Sequence, residues 1–278
     1  MTPAARGAVS DHRTVEVGGS PVHVLDTGTG PAVLMLHGSG PGTTGAGAWA
    51  ATASALAASH RVVAPDQAGF GRTPLPAGTS GGLALWVAQA AGLMDALGET
   101  SYSVVGHSMG GAVALALAAA RPRQVSRVVA VGTMGAPEAP LSTDLNAVWA
   151  APPGPDGARD MLGRLVLDQS LVTDEAVAAR AEAMRDGAES FAAMFPAPRT
   201  RWVDDLTLSP ATLAAVRAPV LLVHGAQDRL TPLRTAALPL LDHLGDVRLH
   251  VLGRCGHAPP LEQPTAFREL LAAFLVSG

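Results

Sequence analysis

Gly106-His107-Ser108-Met109-Gly110 fits the pattern G-x-S-x-G, and its flanks give the match its meaning. Residues 103–105 read as a strand, and residues 111–120 as an alanine-rich helix ending near Pro122. A turn this short between strand and helix forces the central serine into a strained conformation and lifts its hydroxyl above the sheet edge. Glycines two residues to either side let backbones approach where a side chain would clash. The amide of Met109 then sits at a helix N-terminus, able to donate to a developing oxyanion. Glycine makes up 31 of the 278 residues, so an accidental Gly-rich turn is the competing reading. The strand before and helix after speak against it.

Outward from this turn, strands and helices alternate. Residues 22–25 precede the turn Thr27-Gly28-Thr29-Gly30, and residues 32–36 form the unbroken apolar run of a strand buried on both faces. That run ends at Gly38-Ser39-Gly40-Pro41-Gly42, and Thr43 to Gly47 prolong the loop before a helix over 49–58. Short strands follow at 62–64 and 128–131, and a helix at 83–97. From 135 to 208 strand-like runs disappear and amphipathic helical segments take over, around 161–166, 173–185 and 191–195. Strands return at 220–223 and 247–252, with a closing helix at 265–275. This order predicts an α/β fold with a mostly parallel central sheet and helices on both faces. The core is expected over 1–134 and 209–278, with 135–208 as a helical lid over the carboxyl edge of the sheet.

A serine hydroxyl needs a neighbouring base to act as a nucleophile at neutral pH. On an α/β-hydrolase fold, the order along the chain is Ser, then Asp or Glu, then His. Asp228 follows the strand at 220–223, and His257 follows the strand at 247–252. Both fall in loops at strand carboxyl ends, where α/β sheets bind ligands. The other candidates fit less well. His37 precedes the nucleophile, His250 lies inside a strand, and His224 at a strand end reads as a packing residue. His60, His107 and His243 have no post-strand position after the nucleophile. Asp204, Asp205, Asp242 and Asp246 do not directly follow a buried strand. The amide of Ser39, in the loop after the early strand, is expected to pair with that of Met109 as the oxyanion hole. Asp66-Gln67-Ala68-Gly69-Phe70-Gly71 is read as architecture.

Composition narrows the partners. A formal net charge of −4 with no Lys/Arg block leaves no footprint for nucleic acid. No apolar run reaches the ~18 residues that span a bilayer, and the polar stretch 1–13 lacks the apolar core of a secretory signal. The single cysteine excludes an intrachain disulfide and favours the cytoplasm. No His/Cys/Asp cluster has metal-ligand spacing, so neither metal nor cofactor is expected. A small-molecule substrate is the expected partner, and self-association is left open.

Five segments carry a resemblance: His37-Gly38-Ser39-Gly40-Pro41-Gly42, Leu145-Asn146-Ala147-Val148-Trp149, the stretches 168–175 and 191–199, and Gly253-Arg254-Cys255-Gly256-His257. On these the chain resembles the meta-cleavage-product hydrolases, α/β-hydrolases that cut a C–C bond in ring-fission products of aromatic degradation. The likeness runs from about Val22 to the C-terminus and is strongest to the branch acting on alkylbenzene-derived products. The resemblance implies a 2-hydroxy-6-oxo-dienoate substrate, ketonised first and then attacked at its remote ketone. It implies a lid arginine at Arg180 gripping carboxylate or keto-enolate oxygens, with Gly38, Gly40, His107, Trp149 and Ala258 around the substrate. A surface arginine paired with Asp174 or Glu182 is the alternative for Arg180. Three positions depart from the family pattern. His107 stands where Asn is usual before the nucleophile, Ala258 where Trp follows the histidine, and Ala51 where Asn follows the entrance-loop aromatic. These departures keep open an ester, lactone or thioester hydrolase, a non-hydrolytic lyase or cyclase, or a binding protein on the same fold.

Overall fold

The computed structural model describes residues 11–276. Eight strands form one sheet: β1 (Asp11–Val17), β2 (Ser20–Thr27), β3 (Ala32–Leu36), β4 (Arg61–Pro65), β5 (Tyr102–His107), β6 (Val125–Val131), β7 (Val220–Gly225) and β8 (Val247–Leu252). Their spatial order is β1-β2-β4-β3-β5-β6-β7-β8. β1 and β2 run antiparallel to their neighbours, and the pairs from β4 onward are parallel. β1 begins inside the polar stretch 1–13, where the sequence suggested no element; residues 1–10 of that stretch lie outside the described residues.

Alternating side chains send β3 into two cores. Leu34 and Leu36 pack on one face with Trp86, Leu93 and Met94 of α2 (Leu83–Ala96) and Leu115 of α3 (Met109–Ala120). Val33 and Met35 pack on the other with Trp49 of α1 (Gly45–Leu56) and Phe267 of α12 (Pro264–Val276). Full burial of each such side chain contributes roughly 1.5–3 kcal/mol, so both faces must be covered by helices. That is the predicted architecture.

Between β6 and β7 come α4 (Thr143–Ala150), α5 (Pro155–Leu165), α6 (Asp174–Asp186), α7 (Ala188–Met194) and α8 (Thr200–Leu206). α4 and α8 were not anticipated as helices. Short α9 (Pro210–Ala214) and α10 (Leu233–Ala236) flank β7, and α11 (Pro259–Glu262) follows β8. Leu145, Trp149, Met161, Met184, Phe195 and Trp202 join the core on the α2–α3 face, which fixes this helical group to the sheet domain. Among the described residues no helix is long and apolar enough to cross a membrane.

One boundary needs correcting. The loop after β3 is shorter than expected, because α1 starts at Gly45 and not near Trp49. The Thr44 hydroxyl accepts from the Gly47 amide, a capping bond, and Asp66 Oδ1 accepts from the Gly45 amide at 2.7 Å. Together they recruit residues whose glycines had read as loop.

Candidate active site

Ser108 stands between β5 and α3 with φ 55° and ψ −118°, a conformation L-residues adopt only under constraint. The constraint is visible in its neighbours. A Cβ on Gly106 would lie 2.1 Å from the Gly110 carbonyl oxygen, and one on Gly110 would lie 2.3 Å from that of Leu36. The elbow closes only because both positions are glycine. Met109 opens α3, so its amide has no acceptor within the helix.

Asp228 and His257 converge from the loops after β7 and β8. Asp228 Oδ2 lies 2.8 Å from His257 Nδ1, with both side chains buried. The other carboxylate oxygen, Oδ1, accepts from the amides of Leu230 at 2.9 Å and Thr231 at 3.0 Å. Burial pushes the Asp228 carboxyl up, but the imidazoles of His257 and His224 and the donated hydrogen bonds outweigh it and hold the group below the usual carboxylate range. It therefore stays anionic and fixes the proton of His257 on Nδ1, which leaves Nε2 as the basic nitrogen. Sequence reasoning missed Thr231. Its hydroxyl lies 2.8 Å from Asp228 Oδ2, 2.9 Å from the Gly132 carbonyl and 3.2 Å from His257 Nδ1. Its position three residues beyond Asp228, in the same post-strand loop, was the available signal. His224, read as a packing residue, is buried and keeps its Nε2 at 2.7 Å from the Thr231 carbonyl oxygen.

Ser108 and His257 face a cavity of about 370 Å³ that Gly38, Ser39, Gly40, His107, Trp149, Arg180 and Ala258 also line. This size suits a small organic ligand. Asp228 sits beneath His257, and Met109 is fully buried at the helix start. The loop after β3 is braced on several sides. His37 Nε2 accepts from the Gln67 amide at 3.0 Å, and its Nδ1 donates to the Gly38 carbonyl oxygen at 2.8 Å. Burial keeps this imidazole below its ordinary value, hence neutral. Trp149 donates from Nε1 to Ser39 Oγ at 2.9 Å, so α4 holds the side chain of the residue whose amide was predicted as an oxyanion donor. A Cβ on Gly38 would lie 3.1 Å from that of Ser108, which brings this loop directly against the serine.

Arg180 reaches from α6 to the same loop, donating to the Pro41 carbonyl at 3.2 Å and the Thr43 hydroxyl at 3.1 Å. It pairs with neither Asp174, which binds Arg159 at 2.6 Å, nor any other carboxylate among the described residues. Burial draws its guanidinium below the usual arginine value but leaves it charged at neutral pH. The guanidinium is thus a cation on the cavity wall held by neutral acceptors. At the departures from the family pattern, Ala51 and Ala258 line the cavity with methyl groups, and His107 presents a ring that packs 4.6 Å from that of His257, centroid to centroid.

Comparison with known proteins agrees with this geometry. Residues 31–264 match the family model described as alpha/beta hydrolase fold. The 2-hydroxymuconate semialdehyde hydrolase of Pseudomonas sp. strain CF600 is 40% identical, with 96% of this chain and 94% of that one covered. The 2-hydroxy-6-oxo-2,4-heptadienoate hydrolase of a Pseudomonas putida strain is 41% identical, with coverage of 95% and 96%. A solved meta-cleavage product hydrolase from Pseudomonas fluorescens IP01 superposes with a TM-score of 0.91 at 36% identity, over 95% of this chain and 97% of that one. The chain belongs to the α/β-hydrolase fold family, within its group of meta-cleavage-product hydrolases.

Proposed function

We propose that the protein hydrolyses the C–C bond next to the remote ketone of a 2-hydroxy-6-oxo-dienoate, using Ser108, His257 and Asp228 as its catalytic triad. The observation that carries this reading is one cavity lined by Ser108, by the Asp228-paired His257 and by Arg180, which pairs with no carboxylate among the described residues. His257 Nε2 takes the Ser108 proton as Oγ adds to the ketone carbon, while Asp228 stabilises the resulting imidazolium. The amides of Ser39 and Met109 receive the oxyanion. As the tetrahedral adduct collapses, the C–C bond breaks and its electron pair passes to the carbon of the departing ketonised fragment, which His257 protonates. Water, deprotonated by His257, then releases the acyl group from Ser108 as a carboxylic acid.

Arg180 binds the substrate carboxylate or its adjoining oxygen, with Gly38, Gly40, His107, Trp149 and Ala258 shaping the space around it. Segment 135–208 is taken as the lid that covers this space. The partner is a small molecule, and the setting inferred is the cytoplasm.

The test is optical. A yellow ring-fission dienoate incubated with the protein is expected to bleach, and Ser108→Ala to leave the colour intact. Turnover of p-nitrophenyl esters with no bleaching of any dienoate would replace this reading with that of an ester hydrolase.

A further inference from the structure

Three consecutive amides surround the side chain assigned as the base, and each donates out of its own loop. The His257 amide donates to the carbonyl oxygen of Leu165 at 2.9 Å, at the end of α5. Those of Gly256 and Ala258 donate to Glu262 Oε1 on α11, at 2.8 Å and 3.3 Å. The second oxygen of the same carboxylate, Oε2, accepts from Leu167 at 2.6 Å and Asp168 at 3.4 Å, in the segment that follows α5. Glu262 pairs with no Lys or Arg among the described residues, so its charge is directed at these four amides and at the Cys255 thiol, whose Sγ lies 3.8 Å from Oε1. Hydrogen bonds to a charged acceptor are about twice as strong as neutral ones. The seam is also tight. A Cβ on Gly256 would lie 2.9 Å from the Leu167 nitrogen and 3.1 Å from the Leu165 carbonyl oxygen. Leu165 and Val166 line the cavity, so the wall and the backbone of His257 share one anchor.

We propose that Glu262 is a positioning residue that sets His257 against the segment 165–168 at the end of α5, so that the base is correctly aimed only when that segment is docked. The proposal rests on the reading of His257 as the base. Orientation is where such a contact acts, because a misplacement of about 1 Å can cost ~10²-fold in rate. Glu262 touches no reacting atom. Its removal therefore lowers kcat while leaving KM alone.

The experiment compares E262Q and E262A with the wild type, using p-nitrophenyl acetate turnover and the labelling rate of a serine-directed fluorophosphonate. The same label counts competent active sites. Glutamine preserves shape but keeps only one acceptor oxygen and turns N–H donors toward the other pair of amides. The expected result is a fall in kcat per titrated site of about 10-fold for E262Q and about 100-fold for E262A. Labelling rates should fall in parallel and KM should stay within about twofold. If E262A does not fold, the isosteric E262Q decides alone. A merely structural role would lower the melting temperature and the number of titrated sites, with kcat per site unchanged. That result, or a rise in KM alone, overturns the proposal. A wild type inert to the label removes the triad reading and this one with it, whereas a reactive wild type with unaffected variants removes this one only.

Discussion

Nε2 of His107 lies 2.8 Å from the carbonyl oxygen of His257, so the residue before Ser108 holds the peptide of the proposed base. Nε2 must carry the proton to donate there, and the ring is neutral. Burial, followed by the neighbouring His257 imidazole, pushes His107 down to about 3. In the unfolded chain a histidine titrates near 6.5. A base whose folded value is depressed leaves the unfolded state binding more protons below that pH. Stability is therefore full above pH ~6.5 and declines as pH falls toward the folded value. His37 and His224 are depressed in the same direction, and Asp228, also depressed, adds its loss below its unfolded value of ~3.9. Urea denaturation at pH 7, 5 and 4 should show a steady fall. His107→Asn should flatten it by up to about 1.4 kcal/mol per pH unit. An unchanged slope in the variant would mean that the ring is charged in the folded protein.

Asp228→Asn keeps an oxygen for the amides of Leu230 and Thr231 but places an N–H donor where Oδ2 faced His257 Nδ1. The imidazole must then carry its proton on Nε2 and ceases to be a base toward Ser108. A loss of about 10⁴ in kcat is expected, with the circular dichroism spectrum unaltered. Steady-state turnover within tenfold of wild type would remove Asp228 from the triad.

Arg180→Ala leaves the Pro41 carbonyl and Thr43 hydroxyl without their donor and the cavity without its cation. A charged hydrogen-bonded contact contributes about 1.5–3 kcal/mol. The KM for a carboxylate-bearing dienoate should therefore rise roughly 10- to 100-fold, while that for a neutral ester stays put. Equal effects on both substrates would show that the guanidinium braces the loop and does not read charge.

Trp149→Phe keeps an aromatic ring at the packed position but removes the donor to Ser39 Oγ together with part of the buried indole. With a net value of about 0.5–1.5 kcal/mol per neutral hydrogen bond, kcat should drop roughly 2- to 10-fold on dienoate and ester alike. A change confined to one substrate would place Trp149 in specificity and not in support of the oxyanion loop.

Much of this is legible in the amino-acid sequence. Ser108, Asp228 and His257 follow β5, β7 and β8, and strands announce themselves by apolar runs, so their loops could be placed. The elbow glycines were readable because only glycine tolerates the contacts at 106 and 110. Thr231, Glu262 and the bond from Trp149 to Ser39 were not. Each works through a hydrogen bond set by how loops meet in space, and periodicity carries no trace of that. β1 escaped for a related reason: it is an edge strand of polar composition, Asp-His-Arg-Thr-Val-Glu-Val, paired on one side only. The start of α1 was hidden by Gly45 and Gly47, whose helical state depends on Thr44 and the distant Asp66.

The helices from α4 to α8 occupy one uninterrupted stretch, 143–206, inserted between two neighbouring strands. Ser108 and His257 lie outside that stretch, whereas Trp149, Leu165 and Arg180, which line the same cavity, lie within it. Exchange of this single gene segment between related enzymes can thus alter which molecules enter without rebuilding the reaction beneath. Such a graft must keep its polar joints, which include an indole reaching Ser39, a guanidinium reaching residues 41 and 43, Asp205 accepting from the Leu83 amide, and backbone groups at 165–168 that meet the histidine loop. It must also keep the packing of Met184, Phe195 and Trp202 on the α2–α3 face. Where those joints survive, a foreign roof should sit on this floor.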